Sequence, residues 1–257
     1  MNIENNTILI TGGSRGIGLE MAKQFANKNN KVIITGRDEQ KLQKSAENLD
    51  NVTAIQSDVG NPDEIEKLYQ RVVKDFSELN IVINNAGLME TINLRDNTRT
   101  ALELTREIDV NLKGTIIMNN VFLPHLKQKN NAAIVNVSSG LAFVPHPIAP
   151  VYCATKAAIH SYTLSLRIQL KNTNIKVFEL APPLTRTELL DAFNDEDIKG
   201  VPITQVEEMV TAFIKALSKD NYEIRIGIAN QLKFMSRFFP NFILKQLSKS
   251  VNNMQSG

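Results

Sequence analysis

Short apolar runs rich in β-branched residues alternate along the chain with longer stretches in which apolar residues recur every three or four positions. The short runs are typical of strands buried on both faces of a sheet, and the longer pattern is typical of amphipathic helices. The pattern predicts strands at residues 7–11, 31–35, 52–56, 81–87, 132–137, 175–180 and 223–228, the fourth of them ending in a turn.

Helices are predicted between these strands, over residues 19–26, 38–49, 61–76, 100–127, 151–172 and 205–217. Regular alternation of strands and helices defines βαβ units, whose crossovers make the strands parallel. The predicted fold class is α/β, a doubly wound parallel sheet (Rossmann fold) of about seven strands with helices on both faces. No linker, repeat or low-complexity tract interrupts the sequence, so we predict one domain over residues 1–257 with an amphipathic C-terminal extension at 229–257.

The composition excludes several functional classes. A net charge of +2 favours neither nucleic acid nor an acidic surface as a partner. The single cysteine, Cys153, excludes an internal disulfide and fits a reducing compartment. The histidines lack metal-ligand spacing, the first residues do not form a signal peptide, and no apolar run approaches the roughly 20 residues that span a bilayer. We predict a cytoplasmic protein without a metal site.

A glycine-rich turn joins the first predicted strand to the first helix. It has the spacing G-x-x-x-G-x-G and contains Gly12, Ser14, Arg15, Gly16, Ile17 and Gly18. Glycines allow close approach to the backbone, and a helix N-terminus supplies N–H groups and positive potential, so this turn is suited to a pyrophosphate. A tight structural turn without a ligand is the alternative, and the strand–turn–helix context leaves both open.

Two arginines indicate which dinucleotide such a turn would bind. NAD sites usually place a carboxylate at the end of the second strand, where it holds the ribose 2′-hydroxyl. Here that strand ends in Thr35-Gly36-Arg37, and Asp38 is better explained as a helix cap. Arg37 and Arg15 could instead pair with a 2′-phosphate, although both could also be solvated surface residues. We predict NADP(H) in preference to NAD(H).

A candidate proton-transfer pair stands at the start of the fifth long helix. Tyr152 and Lys156 are four residues apart and therefore share one helix face. The ammonium is expected to lower the pKa of the phenol from its ordinary value near 10 toward neutrality. An ordinary polar pair on a helix surface is the alternative.

With these residues in view, the chain resembles the short-chain dehydrogenase/reductase family, in its compact single-domain branch, and within it the bacterial DltE-type oxidoreductases. The resemblance covers the chain from residue 7 to about 227. It rests on motifs in family order: Thr11-Gly12-x-x-x-Gly16-Ile17-Gly18, Asp58-Val59, Asn84-Asn85-Ala86-Gly87, Asn111, Ser139 and Tyr152-x-x-x-Lys156. Ser139 lies 13 residues before Tyr152, the offset usual in the family, which favours it over Ser138 as the catalytic serine.

The resemblance implies roles for the site residues. Tyr152 would be the general acid/base, Lys156 would lower its pKa and bind the nicotinamide ribose, and Ser139 would polarise a carbonyl. Asn111 would hold a water for proton relay, unless it is a helix-interior asparagine bonded to nearby backbone. Asp58 would bind the adenine amino group, and Asn85 would lie against the adenine ribose. Together with Tyr152 and Lys156, the implied cofactor-binding residues are Gly12, Ser14, Arg15, Gly16, Ile17, Gly18, Arg37, Asp58, Val59, Asn85, Ala86, Gly87, Pro182, Thr185 and Thr187.

One departure from the family lies after the sixth strand. The family commonly has Pro-Gly where this chain has Pro182-Pro183. Pro183 removes a backbone donor and the freedom of a glycine, so this loop is expected to follow a different path. Thr187 is still expected to contact the nicotinamide carboxamide.

The substrate pocket is expected between residues 87–100, 140–150 and 187–200. The middle loop is apolar and stiffened by three prolines, which favours an apolar carbonyl or alcohol over a sugar. His146 could reach this pocket, but we expect a histidine confined to its Pro-His-Pro turn. Cys153 is expected to be a small packing residue rather than a redox switch.

Two surfaces suggest partners. The helix over residues 151–172 is apolar or small over roughly two-thirds of its circumference, so we expect a homodimer (or homotetramer) formed by this helix and the one before it. The C-terminal tail interleaves phenylalanines with lysines and an arginine. Such a tail can lie on a membrane surface, but we expect it to pack on its own subunit or on a partner near the pocket.

The predicted function is NADPH-dependent reduction of a carbonyl substrate, or the reverse oxidation of an alcohol. The alternative from a different class is a non-catalytic NADP(H)-sensing protein on the same fold. Retention of Ser139, Tyr152, Lys156 and Asn111 argues against that alternative. An epimerase or dehydratase using the same tyrosine and lysine would need a longer chain and another glycine pattern.

Overall fold

A seven-stranded parallel sheet forms the centre of the computed structural model, which describes residues 1–96, 98–198 and 200–253. The strand order is β3-β2-β1-β4-β5-β6-β7, and each pair of neighbours is parallel. The strands are β1 (Thr7–Thr11), β2 (Lys31–Gly36), β3 (Val52–Gln56), β4 (Leu79–Asn84), β5 (Ala132–Val137), β6 (Ile175–Ala181) and β7 (Glu223–Arg225). The predicted fold class is confirmed.

Helices cover both faces of this sheet. The α-helices are α1 (Gly16–Ala26), α2 (Glu39–Ala46), α3 (Pro62–Asp75), α4 (Ala101–Glu107), α5 (Gly114–Leu126), α6 (Pro150–Gln169), α7 (Asp195–Ile198), α8 (Val206–Ser218), α9 (Ile228–Phe238) and α10 (Pro240–Leu247). Short 3-10 turns cover Gly140–Ala142, Glu188–Ala192 and Ser248–Asn253. Within the described residues, no helix has the length and apolar character needed to cross a membrane.

The alternation of side chains along each strand divides the core into two layers. Ile8 and Ile10 of β1 pack in one layer with residues of α1 and α8, whereas Leu9 between them packs in the other with residues of α3, α5 and α6. Phe25 and Phe213 meet edge to face in the first layer, with their ring centroids 6.3 Å apart. Burial of each such side chain contributes roughly 1.5–3 kcal/mol.

The helix predicted over residues 100–127 is interrupted. Residues Ile108–Lys113 form a π-helical turn between α4 and α5. Such a turn holds one residue more than a turn of α-helix. The last strand is also shorter than predicted, since Gly227 has a positive φ of 55° and α9 begins directly after it. Asp38 caps α2 as expected, its Oδ1 accepting a 3.0 Å hydrogen bond from the N–H of Lys41.

The strand order reverses between β1 and β4. The chain runs outward from β1 to β2 and β3 on one side, and from β4 to β7 on the other. The connections that follow β1 and β4 therefore diverge and leave a crevice at the carboxyl ends of these strands. This crevice is where an open parallel sheet binds a ligand.

Candidate active site

The glycine turn lies at the β1 end of the crevice. Gly12 and Gly16 have positive φ values of 68° and 54°, which other residues rarely adopt. A Cβ on Gly18 would lie 2.3 Å from the carbonyl oxygen of Gly12, so a larger residue would push the turn and α1 apart. Arg15, the residue preceding α1, makes no side-chain capping bond, which leaves the amino end of this helix available to an anion.

The turn is fastened to the end of β4. The Asn85 amide donates to the carbonyl oxygens of Thr11, at 2.9 Å, and Gly12, at 3.1 Å. The hydroxyl of Thr11 accepts the backbone N–H groups of Asn85 and Ala86, each at 3.0 Å. Asn85 therefore holds the glycine turn as well as facing the crevice.

A cavity of about 420 Å³ runs along the crevice from the glycine turn to α6. Nearly all predicted site residues line it: Gly12, Ser14, Arg15, Gly16, Ile17, Arg37, Asp58, Val59, Asn85, Ala86, Gly87, Ser139, Tyr152, Lys156, Pro182, Thr185 and Thr187. Gly18 and Asn111 are not in this lining. Gly18 packs beneath the turn, and Asn111 lies behind the wall with 1% of its surface exposed.

Basic side chains surround the β2 end of the cavity. Arg37 follows β2 directly, and its carbonyl accepts a 2.9 Å hydrogen bond from the Gln56 amide. Arg15 and Lys41 each lie 4.0 Å from the carboxylate of Glu188. Sequence reasoning identified the two arginines but missed Lys41, because its position on α2 relative to the turn is fixed only by the tertiary fold.

The predicted proton-transfer residues come together where β5 meets α6. The Lys156 ammonium donates a 2.9 Å hydrogen bond to the carbonyl of Val137 and lies 5.6 Å from the ring centroid of Tyr152. Ser139 and Tyr152 both line this part of the cavity. The Ser139 hydroxyl also accepts the N–H of Leu141, which fixes its position in the turn after β5.

The electrostatics of this pair differ from the sequence prediction. Burial raises the pKa of Tyr152 well above its ordinary value, and the nearby hydroxyl of Ser139, which can donate to the phenolate, offsets only part of that rise. Burial also lowers the pKa of Lys156 to about 8. The prediction that Lys156 lowers the pKa of Tyr152 is therefore wrong for this structure, because desolvation of the phenol outweighs the charge of an ammonium directed at Val137.

Asn111 occupies the π-helical turn. Its amide nitrogen donates to the carbonyl of Leu88 at 2.8 Å and to the Thr155 hydroxyl at 3.1 Å, and its oxygen accepts the N–H of Leu88 at 2.7 Å. A Cβ added to Gly87 would lie 3.5 Å from both Asn111 Oδ1 and Lys156 Nζ. Asn111 thus joins the segment after β4 to α6, and both its amide oxygen and the Lys156 ammonium lie next to Gly87.

A buried acid that the sequence reasoning missed lies one turn before Asn111. Glu107 is 1% exposed, and one of its oxygens accepts a 2.8 Å hydrogen bond from the N–H of Glu90. Burial raises its pKa to about 7, with the charges of Arg99 and Lys156 opposing that rise. In the sequence, Glu107 is one acid among several in a polar stretch, so nothing distinguished it from a surface residue.

A second missed group lies next to Ser139, at Ser138. The Ser138 hydroxyl donates a 2.6 Å hydrogen bond to Glu179, whose other oxygen lies 2.7 Å from Nδ1 of His160. Glu179 is 2% exposed and lies in strand β6 between the buried residues Phe178 and Leu180. An acid inside a buried strand was the signal that could have identified it.

The substrate end of the cavity is lined mainly by apolar side chains. All three predicted segments contribute, with Leu88, Met89, Leu141, Leu190 and Phe193 among their residues. His146 also lines it, so the expectation that this histidine would be confined to its turn is wrong. Cys153 is buried, accepts the N–H of His146 at 3.2 Å and has its pKa raised by burial to about 11, as suits a packing residue.

The loop after β6 is held by backbone pairing. Thr185 forms a parallel bridge with Thr204, and the carbonyl of Pro182 accepts the N–H of Gly140 at 2.9 Å. A Cβ on Gly16 would lie 3.2 Å from the Thr187 methyl, so Thr187 abuts the glycine turn. Pro183 packs against Gly227 at the start of α9.

The C-terminal tail closes this end of the cavity. Its contribution comes from Ile228 and Leu232 of α9 and from Ile243 and Leu247 of α10. The expectation that the tail packs on its own subunit near the pocket agrees with this arrangement. No group of three or more histidine, cysteine or acidic residues suited to a metal ion occurs in the part of the chain that the structure describes.

This fold and site define a class of protein. The family model for short chain dehydrogenases matches residues 6–198. The chain belongs to the short-chain dehydrogenase/reductase family, a family of oxidoreductases.

Among individual proteins, the chain is similar to a Bacillus subtilis protein named uncharacterized oxidoreductase DltE, with 38% identity over 98% of this chain and 100% of that one. Among solved structures, it is similar to a short chain dehydrogenase from Burkholderia cenocepacia in complex with NADP, with 25% identity, a TM-score of 0.83 and coverage of 96% and 99% of the two chains. A 3-ketoacyl-(acyl-carrier-protein) reductase from Brucella melitensis complexed with NADH is 27% identical, with a TM-score of 0.79 and coverage of 88% and 98%.

Proposed function

We propose that this chain is an NADP(H)-dependent oxidoreductase that reduces a carbonyl group or oxidises the corresponding alcohol. The observation that carries the proposal is the convergence of Ser139, Tyr152 and the buried ammonium of Lys156 on the same crevice as the glycine turn. Family membership supports the reaction class.

The crevice fits a dinucleotide. Positive φ at Gly12 and Gly16, together with the uncapped amino end of α1, provides a cradle for the pyrophosphate. Asp58 and Val59 would hold the adenine, Asn85 its ribose, and Lys156 the nicotinamide ribose. When bound, the nicotinamide supplies the hydride for the carbonyl carbon.

Tyr152 is the proposed general acid in the direction of reduction. Its raised pKa keeps the proton on the phenol at neutral pH, ready for the carbonyl oxygen as that oxygen gains negative charge. Ser139 would donate a second hydrogen bond to the same oxygen. Lys156, with its pKa lowered only to about 8, is mostly protonated at neutral pH, so its ammonium can donate hydrogen bonds to the nicotinamide ribose.

The proposed preference for NADP(H) rests on Arg37 and Arg15. Both line the cavity, and the end of β2, Thr35-Gly36-Arg37, contains no acid that would hold a ribose 2′-hydroxyl. A guanidinium can bind a 2′-phosphate through paired, charge-assisted hydrogen bonds. The related structures carry NADP in one case and NADH in the other, so they favour neither cofactor.

The apolar lining of the substrate end supports an apolar carbonyl or alcohol as substrate.

We also propose a cytoplasmic homodimer or homotetramer that forms through α5 and α6. The outward face of α6 carries small exposed residues at helical spacing, Ala154, Ala157, Ser161 and Ser165, and Ile168 on the same helix is 71% exposed. Small residues allow a second helix to approach closely.

The test is NADPH oxidation with a panel of ketones, aldehydes, diketones and quinones, using Tyr152→Phe as the matched variant. Loss of the phenolic proton is expected to lower kcat by about 10²- to 10⁴-fold while the Kd for NADPH stays within a few-fold of wild type. Full turnover by Tyr152→Phe would overturn the assignment. Tight NADPH binding with no oxidation of it by any substrate would favour the NADP(H)-sensing alternative.

A further inference from the structure

Two helices of the C-terminal tail expose an unusual amount of aromatic surface. Four phenylalanines, which we call the aromatic patch, lie on the outside of α9 and α10: Phe234, Phe238, Phe239 and Phe242 are 56%, 58%, 53% and 54% exposed. The rings of Phe234 and Phe238 are 4.7 Å apart, and those of Phe234 and Phe239 are 6.5 Å apart. Phe242 follows Phe239 by one helical turn. The patch is therefore continuous rather than a scatter of single residues.

The tail is anchored, so this exposure is not that of a loose end. Ile228 and Leu232 on the inner face of α9, and Ile243 and Leu247 on that of α10, line the cavity. Lys233 forms a 2.9 Å ion pair with Glu223 and lies 5.2 Å from the ring centroid of Phe143. The two helices thus separate the apolar cavity from the aromatic patch.

The charged residues of the tail itself are all basic. Residues 229–257 contain four of the 29 basic residues of the chain and none of its 27 acidic ones, so the tail carries +4 and the remainder of the chain −2. Arg237, Lys245 and Lys249 are exposed, and no ion pair joins any of them to an acid within the described ranges 1–96, 98–198 and 200–253. A partner for this surface must therefore provide an apolar layer for the phenylalanines and negative charge for the basic residues.

We propose that the aromatic patch and its basic rim dock on an anionic lipid bilayer. Phenylalanines on the outer faces of two short helices can enter the boundary between headgroups and acyl chains, while the lysines and the arginine pair with lipid phosphates. The charge distribution disfavours a second copy of this chain as the occupant. A two-fold interface through the patch would bring Arg237, Lys245 and Lys249 of one copy close to the same basic residues of the other.

Docking would place the pocket next to the bilayer. Because the inner faces of α9 and α10 line the substrate end, a lipophilic carbonyl or alcohol would pass between membrane and cavity past these helices. This second step rests on the proposed oxidoreductase function, whereas docking itself does not.

The test is co-sedimentation of the full chain with vesicles of phosphatidylcholine alone and of phosphatidylcholine with phosphatidylglycerol. Two tail variants are compared with wild type: Phe238→Ser with Phe242→Ser, and Arg237→Glu with Lys245→Glu. The controls carry comparable changes at exposed positions outside the tail. Leu102→Ser replaces an exposed apolar side chain by serine, and the pair Lys44→Glu with Lys67→Glu reverses two exposed positive charges. All altered positions lie outside the cavity lining, and NADPH binding reports that each variant is folded.

Wild type and both controls are expected to sediment with the anionic vesicles only, and binding is expected to weaken at about 1 M salt. Each tail variant is expected to bind about tenfold more weakly. Absence of sedimentation overturns the proposal, as does equal binding by the tail variants. A change from dimer to monomer in the Phe238→Ser, Phe242→Ser variant, without vesicle binding by wild type, would assign the patch to a second copy instead.

Activity then tests the second step separately. The tail variants are expected to turn over a short water-soluble ketone at the wild-type rate but to lose about tenfold in rate with a long-chain ketone held in anionic vesicles. If no carbonyl is reduced by wild type, the proposed function fails while the sedimentation result still decides the docking. Equal rates with the vesicle-held ketone would overturn delivery from the membrane.

Discussion

The hydroxyl of Ser138 donates a 2.6 Å hydrogen bond to the buried carboxylate of Glu179 on β6. The hydroxyl of its neighbour Ser139 instead accepts the N–H of Leu141, and Ser139 lines the cavity together with Tyr152. Two adjacent serines that follow one strand therefore have different partners.

The different partners of Ser138 and Ser139 provide a matched pair of variants. Ser139→Ala is expected to lower kcat by about 10²- to 10³-fold, because a hydrogen bond to the developing oxyanion is lost. Ser138→Ala is expected to leave kcat within a few-fold but to lower the free energy of unfolding by about 1–3 kcal/mol, since an oxygen of Glu179 is left buried and unpaired. Steady-state kinetics and urea unfolding measure both effects. A larger loss of kcat in Ser138→Ala would reverse the assignment.

Glu107 is expected to make stability depend on pH. Its pKa is raised to about 7 from an ordinary value of 4.5, so the contribution of the neutral acid is fully present below pH 4.5 and is lost as the pH rises through 7. Glu107→Gln removes this dependence. We compare the free energy of unfolding of the variant with that of wild type at each pH. The difference, variant minus wild type, is expected to rise by on the order of 2–3 kcal/mol from below pH 4.5 to above pH 7.

The same variant should change the pH profile of the reaction. The negative charge of Glu107 raises the pKa of both Tyr152 and Lys156, so its removal is expected to move the alkaline limb of kcat/KM to lower pH. The exposed acid Glu66 provides the control, and Glu66→Gln should alter neither measurement. A Glu107→Gln profile that coincides with wild type would show that Glu107 is not coupled to the site.

Arg37 is expected to set the cofactor preference. Arg37→Ala should weaken NADPH binding by about 10- to 100-fold, because a charge-assisted contact is removed, and should leave the Kd for NADH nearly unchanged. Lys44→Ala, on the exposed face of α2, controls for the loss of a positive charge near the site. Isothermal titration with both dinucleotides measures the ratio. The NADP(H) assignment fails if Arg37→Ala leaves that ratio as in wild type.

The exposed small residues of α6 should mark the dimer interface. Wild type is expected to sediment as a dimer or tetramer at micromolar concentration, and Ala157→Arg is expected to shift it toward monomer because an arginine cannot fit between closely packed helices. Gln43→Arg adds the same charge on exposed α2 and should leave the assembly intact. A wild-type monomer would refute the proposed interface.

The local pattern of apolar and polar residues was sufficient to predict most of the fold. The strands were predictable because runs such as residues 132–137 are apolar except for Asn136, so they are expected to be buried on both faces. The cap at Asp38 was predictable because its side chain bonds to the next helical turn. The π-helical turn around Asn111 was not, since its extra residue is stabilised by contacts to Leu88 and Thr155, which are far away in sequence.

For the site, the sequence, read with its family resemblance, determined many of the residues that line the crevice, because Gly12, Arg37, Ser139 and Tyr152 lie where strands end or helices begin. Only the tertiary structure decided the electrostatics. Burial of Tyr152, the direction of the Lys156 ammonium and the pKa of Glu107 depend on what surrounds each group on every side. Desolvation is a property of the packed interior, and no local spacing in a sequence encodes it.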